Sequence, residues 1–196
     1  MVAMKLCVCV GALAFLLSGC MSQEQWSQLL NGPYPLQVDY SRSIEDSLSA
    51  GRYDWVSSQL ASVSFPSSES GRGGILAVLV PFAPQASLEH LLQREAAAGL
   101  RPATFKELLA FGEAYPEAQR RLSIVALGSS AGLMVTIYQH IFKQDASMGG
   151  FTIVEHKMEP VYPYLGDGLF GRSVHVEWLD DPDAYPMYYA CFVQPQ

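Results

Sequence analysis

At 196 residues, with 49% hydrophobic and 16% charged side chains, the chain can bury one sizeable core, which excludes intrinsic disorder. Twelve Lys and Arg against 19 Asp and Glu give a net charge of −7, the wrong sign for nucleic acid or an anionic lipid surface as partner.

The first predicted element is a leader. Lys5 supplies a positive start, Leu6 to Leu17 is uncharged and apolar, and Leu17-Ser18-Gly19-Cys20 follows. A run of about 12 residues suits the core of a signal peptide and is too short to span a bilayer as a helix. The tetrapeptide resembles the lipobox of bacterial lipoproteins, which implies cleavage after Gly19 and acylation of the Cys20 thiol, with palmitate among the chains. Met4-Lys5 offers a second possible start of translation. Met21 stands where inner-membrane retention would have Asp, which implies the outer membrane in a cell with two. The expected organisation is a signal peptide over 1–19, lipidated Cys20 and a tether over 20–35, and a single domain over 36–196. The tether reading rests on a polar stretch punctuated by Gly32-Pro33 and Pro35.

Within the domain, Ser41 to Gly51 reads as a short helix with Ile44 and Leu48 on one face and Gly51 as a left-handed stop. Ser67 to Gly74 reads as a loop and Ile75 to Phe82 as a strand covered on both faces. Ser87 can cap a helix over 88–98 that carries Leu88, Leu91, Leu92 and Ala96 and ends before Gly99. Thr104 and Glu107 form a capping box ahead of a helix over 105–114, and Tyr115-Pro116 breaks it. Beyond residue 122 the pattern predicts strands: Ile124 to Leu127, Met134 to Phe142, Phe151 to Val154, Val161 to Leu165, Ser173 to Trp178 and Tyr188 to Val193. Helices early and strands late predict an α+β domain, two to three short helices on a mainly antiparallel sheet.

Several stretches resemble an uncharacterised family of bacterial proteins. They include Val38-Asp39-Tyr40-Ser41, Tyr53-Asp54-Trp55-Val56, the block from Gly99-Leu100-Arg101-Pro102 through Gly128-Ser129, and Val161-Tyr162-Pro163-Tyr164-Leu165. That resemblance implies a shared fold and no catalytic residues. The order of elements is also similar to C-type-lectin-like folds, whose final strand returns beside the first. Glu159-Pro160-Val161 and Glu177-Trp178-Leu179-Asp180 echo lectin calcium motifs, but Val161 and Leu179 replace the amide side chains those motifs need.

The residues signal no cofactor or metal site: His90, His140, His156 and His175 form no HExxH and no i, i+4 pair. Cys7 and Cys9 leave with the leader and Cys20 is acylated, so the domain keeps Cys191 alone, expected as a buried, unreactive thiol. Arg101 is expected in a buried ion pair. Trp178, Asp180, Asp181, Asp183 and Tyr185 are expected to form an aromatic and acidic binding surface. The expected function is that of a non-enzymatic binding or structural lipoprotein of the cell envelope. It would hold the membrane through Cys20 and an envelope protein or glycan through its domain. The alternative is an envelope hydrolase using Glu155, Glu159 or Asp167 near His156 or His175.

Overall fold

The structure is a computed structural model that describes residues 32–61, 64–65, 69–83, 87–141, 151–169, 171–179 and 188–194; side chains over 135–141 and 151–156 are not considered. It is mixed α+β. The first strand, β1 (Tyr34–Asp39), alternates strictly: Tyr34, Leu36 and Val38 are buried while Pro35 and Gln37 are exposed. It begins inside the segment expected to be tether, because that alternation outweighs the local Gly-Pro punctuation.

Helix α1 (Ile44–Gly51) starts later than the expected Ser41, because Ser43 caps it: the Ser43 hydroxyl accepts from the Asp46 amide at 3.0 Å. Its stop is different. Arg52, not Gly51, takes the left-handed conformation, with φ 49°. Gly51 is the last helical residue, and its missing side chain makes room for the Tyr53 ring, which a Cβ there would meet at 2.3 Å. Strand β2 (Trp55–Val56) follows, and β3 (Arg72–Phe82) is longer than expected, since Arg72 to Gly74 pair with Asp39 to Gln37.

Helix α2 (Leu88–Ala97) is capped by Ser87, and Gly99 with φ 78° turns the chain into the two-residue strand β4 (Arg101–Pro102). Helices α3 (Phe105–Ala114) and α4 (Pro116–Gln119) lead into β5 (Ile124–Val125). The remaining strands are β6 (Ala131–Ile141), β7 (Phe151–Gly168), β8 (Gly171–Glu177) and β9 (Tyr188–Gln194). The two strands expected between Phe151 and Leu165 are thus a single 18-residue strand.

The sheet runs β1-β3-β9-β5-β7-β8-β2, with β4 on β9 and β6 on β7, and most pairings are antiparallel. The last strand lies in the middle, parallel to β5 and antiparallel to β3, so β3 separates it from the first strand. A lectin-like return of the final strand beside the first is therefore not what this sheet does.

The central position explains the sequence of β9. Tyr188, Ala190 and Phe192 join one core cluster with Phe82, Leu91 and Tyr164, while Cys191 and Val193 join the other with Leu36, Leu79, Leu108 and Phe111. A strand covered on both faces needs apolar residues at every position rather than at alternate ones.

Candidate binding cleft

The site grows out of the N-terminus of α3. Glu107 is the third residue of that helix and fully buried, yet each of its oxygens has two donors. Tyr40 Oη and Arg101 Nη2 donate to Oε1 at 2.5 and 2.6 Å, and Arg101 Nη1 and the Thr104 amide donate to Oε2 at 2.9 and 2.8 Å. Burial alone would raise its pKa, but the hydrogen bonds from Arg101, Tyr40 and Thr104, with the charge of Arg101, hold the carboxyl below its ordinary value. The same carboxylate, added to burial, raises the Tyr40 phenol. Arg101 is thus the ion-pair partner anticipated from the sequence.

The two halves of the capping box are unequal. The Thr104 amide reaches Glu107, whereas the Thr104 hydroxyl faces the helix amide without closing a hydrogen bond and is buried with no partner among the described residues.

A cleft of about 580 Å³ opens between the outer edge of β1 and helices α1 and α3, with Asp39, Arg42, Lys106 and Glu113 among its walls. Three of its four charges are committed. Arg42 Nη1 donates to Glu113 Oε2 at 2.8 Å, and Asp39 accepts from Arg72 Nε at 2.8 Å and from the hydroxyl and amide of Ser41. The Ser41 hydroxyl and the Arg72 guanidinium hold Asp39 at about 2. Lys106 is different: its Nζ donates to the Tyr40 carbonyl at 2.5 Å and, among the described residues, no carboxylate answers it. A lysine in the first turn also opposes the helix dipole, a local mismatch visible in the sequence although not read there. The cleft therefore offers an anionic group a cation that keeps unused N–H donors.

The hydrolase candidates do not gather. His175 lies opposite Tyr164 in the β7–β8 register, Asp167 opposite Arg172 and, on the β6 side, Glu159 opposite Leu133. At about 3.3 Å per residue, Glu159 sits roughly 16 Å along β7 from the position facing His175, and Asp167 roughly 10 Å in the other direction. Glu159 is paired with Lys157. Side chains of Glu155 and His156 fall outside the described set.

His175 is held neutral by burial, its pKa lowered to about 4. Ser173 Oγ donates to the Gly166 carbonyl at 3.1 Å and lies 3.2 Å from His175 Nε2. With its proton committed and its side chain buried, Ser173 is not an activated nucleophile. Among the described residues no group of three or more His, Cys, Asp or Glu is placed to hold a metal ion.

Trp178 follows β8 with its indole N–H buried and without a hydrogen-bond partner among the described residues. Asp180, Asp181, Asp183 and Tyr185, the rest of the expected binding surface, lie outside the described residues, as does Cys20. Cys191 is fully buried, and burial raises its thiol pKa.

One buried residue had no sequence signal. Arg172 donates to the Gly51 carbonyl at 3.0 Å, to the Gly112 carbonyl at 2.5 Å and to Gln119 Oε1 at 3.1 and 3.2 Å, with its guanidinium 5.0 Å from the centre of the Tyr53 ring. Gly51 closes α1 and Gly112 lies in the last turn of α3, so the charge faces the negative ends of two helices. Gln119 is kept in place by donating to the carbonyls of Gly166 and Ser173. This network sets the angle between the two helices that wall the cleft.

Compared with protein-family models, with curated proteins and with solved structures, the chain matches none.

Proposed function

We propose that this chain is a lipoprotein of the bacterial cell envelope, anchored through acylated Cys20, whose α+β domain binds an envelope partner and performs no catalysis. The anchoring half rests on the sequence alone: a single early lysine, an apolar run of signal-peptide length and Leu17-Ser18-Gly19-Cys20. An outer-membrane address follows from Met21 in a cell with two membranes. The resemblance to an uncharacterised bacterial family belongs to this proposal and adds no activity to it.

The binding half is carried by one observation, the unanswered Lys106 cation in a cleft whose other charges are paired. A cation left with a single neutral acceptor gains most from an anionic group, and a single carboxylate on an envelope protein or glycan supplies one locally.

Two measurements test the halves separately. Cys20→Ala should abolish acyl labelling and move the protein from the membrane to the soluble fraction; a wild-type chain that is soluble and uncleaved overturns the anchor. A photo-crosslinking residue at Gln37, on the rim of the cleft, should capture an adduct in cells that Lys106→Glu abolishes. Capture of the same adduct from exposed Glu89 on α2 would overturn the cleft as the binding site.

A further inference from the structure

Three outer edges of the sheet, those of β1, β2 and β6, are treated differently. Strand β1 carries Pro35, which has no N–H to offer, and its carbonyl is taken by the Tyr115 hydroxyl at 3.0 Å. Strand β2, at the other end, is two residues long. Both are ordinary protections against a further strand. Strand β6 has neither. It is 11 residues long, and from Ala131 to Ile141 it contains no Pro, Asp, Glu, Lys or Arg.

Strand β6 also has only one neighbour among the described strands. All 11 of its register pairs are with β7, from Ala131 opposite Val161 to Ile141 opposite Phe151, and this stretch of β7 pairs with no other described strand. The two form a ribbon of roughly 37 Å at about 3.4 Å per residue, and two strands alone are marginal in water. At its base Met134 and Met158, register partners, are 57% and 58% exposed.

We infer that the free edge of β6 pairs antiparallel with β6 of a second copy of this chain, joining two ribbons into one four-stranded sheet about a two-fold axis. A second copy fits this edge for two reasons. The chain is acidic, so two copies repel one another over most of their surface, and β6 is a segment where they can meet with no formal charge on either side. The sequence is also self-complementary about Thr136. Antiparallel pairing centred there sets Val135 opposite Ile137, Met134 opposite Tyr138 and Thr136 opposite itself, with β-branched or aromatic residues at four of the five positions from 134 to 138. The contact is isologous and closes on itself, which the unprotected edge of a monomer does not.

The test uses the full chain as purified from cells, in detergent where it is lipidated. Thr136→Cys should give an intermolecular disulfide under mild oxidation, because facing residues of an antiparallel pair have Cα atoms about 4.5–5.5 Å apart, within disulfide range. Met134→Cys alone should give none, since its two copies would be about four residues apart along the strands; Met134→Cys with Tyr138→Cys should restore the link. Wild type under the same oxidation is the control for the native cysteines. By sedimentation equilibrium the wild-type chain should be a dimer, and Val135→Lys/Ile137→Lys should weaken it by about tenfold or more. Far-UV circular dichroism should be unchanged, since the edge is free in the monomer. A monomeric wild type with no Thr136→Cys link overturns the inference, and so does equally efficient linkage of Met134→Cys alone.

Discussion

Replacing Glu107 by Gln tests the idea that one buried carboxylate ties Tyr40, Arg101 and the start of α3 together. Gln keeps the shape, so packing is conserved, but its amide nitrogen would confront at least one of the donors that Glu107 now accepts from, Arg101 Nη1 and the Thr104 amide. Removing one partner of a buried ion pair typically costs about 3–5 kcal/mol. Here the Arg101 side chain is 38% exposed and water recovers part of its interaction, so about 2–3 kcal/mol is expected. In urea unfolding followed by tryptophan fluorescence, with a slope of about 2 kcal/mol per molar, the midpoint should fall by roughly 1–1.5 M with the slope unchanged.

The pH dependence has a definite sign. The folded carboxyl titrates below its ordinary 4.5, so the stabilisation is complete above about pH 4.5 and is lost as pH falls through the folded pKa. The gap between wild type and Glu107→Gln should therefore be constant from neutral pH down to about 5 and close below that. A midpoint shift under about 0.3 M at neutral pH, or a gap that stays open in strong acid, would refute the reasoning.

Arg172→Met should be among the more damaging single changes, on the order of 4 kcal/mol, because it orphans the Gly51 and Gly112 carbonyls and Gln119 Oε1 together. Urea unfolding checks this, and Arg172→Lys should recover only part of the loss. Gly112→Ala places a Cβ 2.3 Å from Tyr53 Oη and 3.0 Å from Leu165 Cδ1, and Tyr53 cannot yield without giving up its bond to the Leu109 carbonyl. A net loss of about 1–2 kcal/mol is expected despite the better helix propensity of Ala, read as a lower thermal midpoint. His175 should titrate near 4 rather than 6.5 in a proton NMR experiment. Because its folded pKa is lowered, wild type should lose stability relative to His175→Gln as pH falls from 6.5 through 4, and a folded-state titration near 6.5 would contradict its burial.

What was legible in the sequence is what depends on near neighbours. Ser87 caps its helix because a hydroxyl answers an amide three residues on, and Thr104 with Glu107 marks the start of α3 because the Glu107 carboxylate answers the Thr104 amide. Tyr188 to Val193 reads as a buried strand because unbroken apolar character suits a strand with two covered faces, and Cys191 is buried with it. The α+β class follows from the order of such segments.

The remainder depends on which distant segments meet. That β9 lies at the centre of the sheet, between β3 and β5, is a matter of long-range pairing, and no local period encodes a partner. β7 reads as two strands because Glu155 to Glu159 break the apolar pattern, yet a strand needs only backbone partners, and β6 supplies them. Gly51 carries a turn signal, but the approach of Tyr53 gives it another role and leaves the left-handed residue to Arg52. Arg172 and Lys106 look like ordinary surface cations in the chain. Folding turns one inward onto the carbonyl ends of two helices and leaves the other on a cleft wall with no counter-charge among the described residues, because burial and ion pairing belong to the packed structure and not to the string of residues.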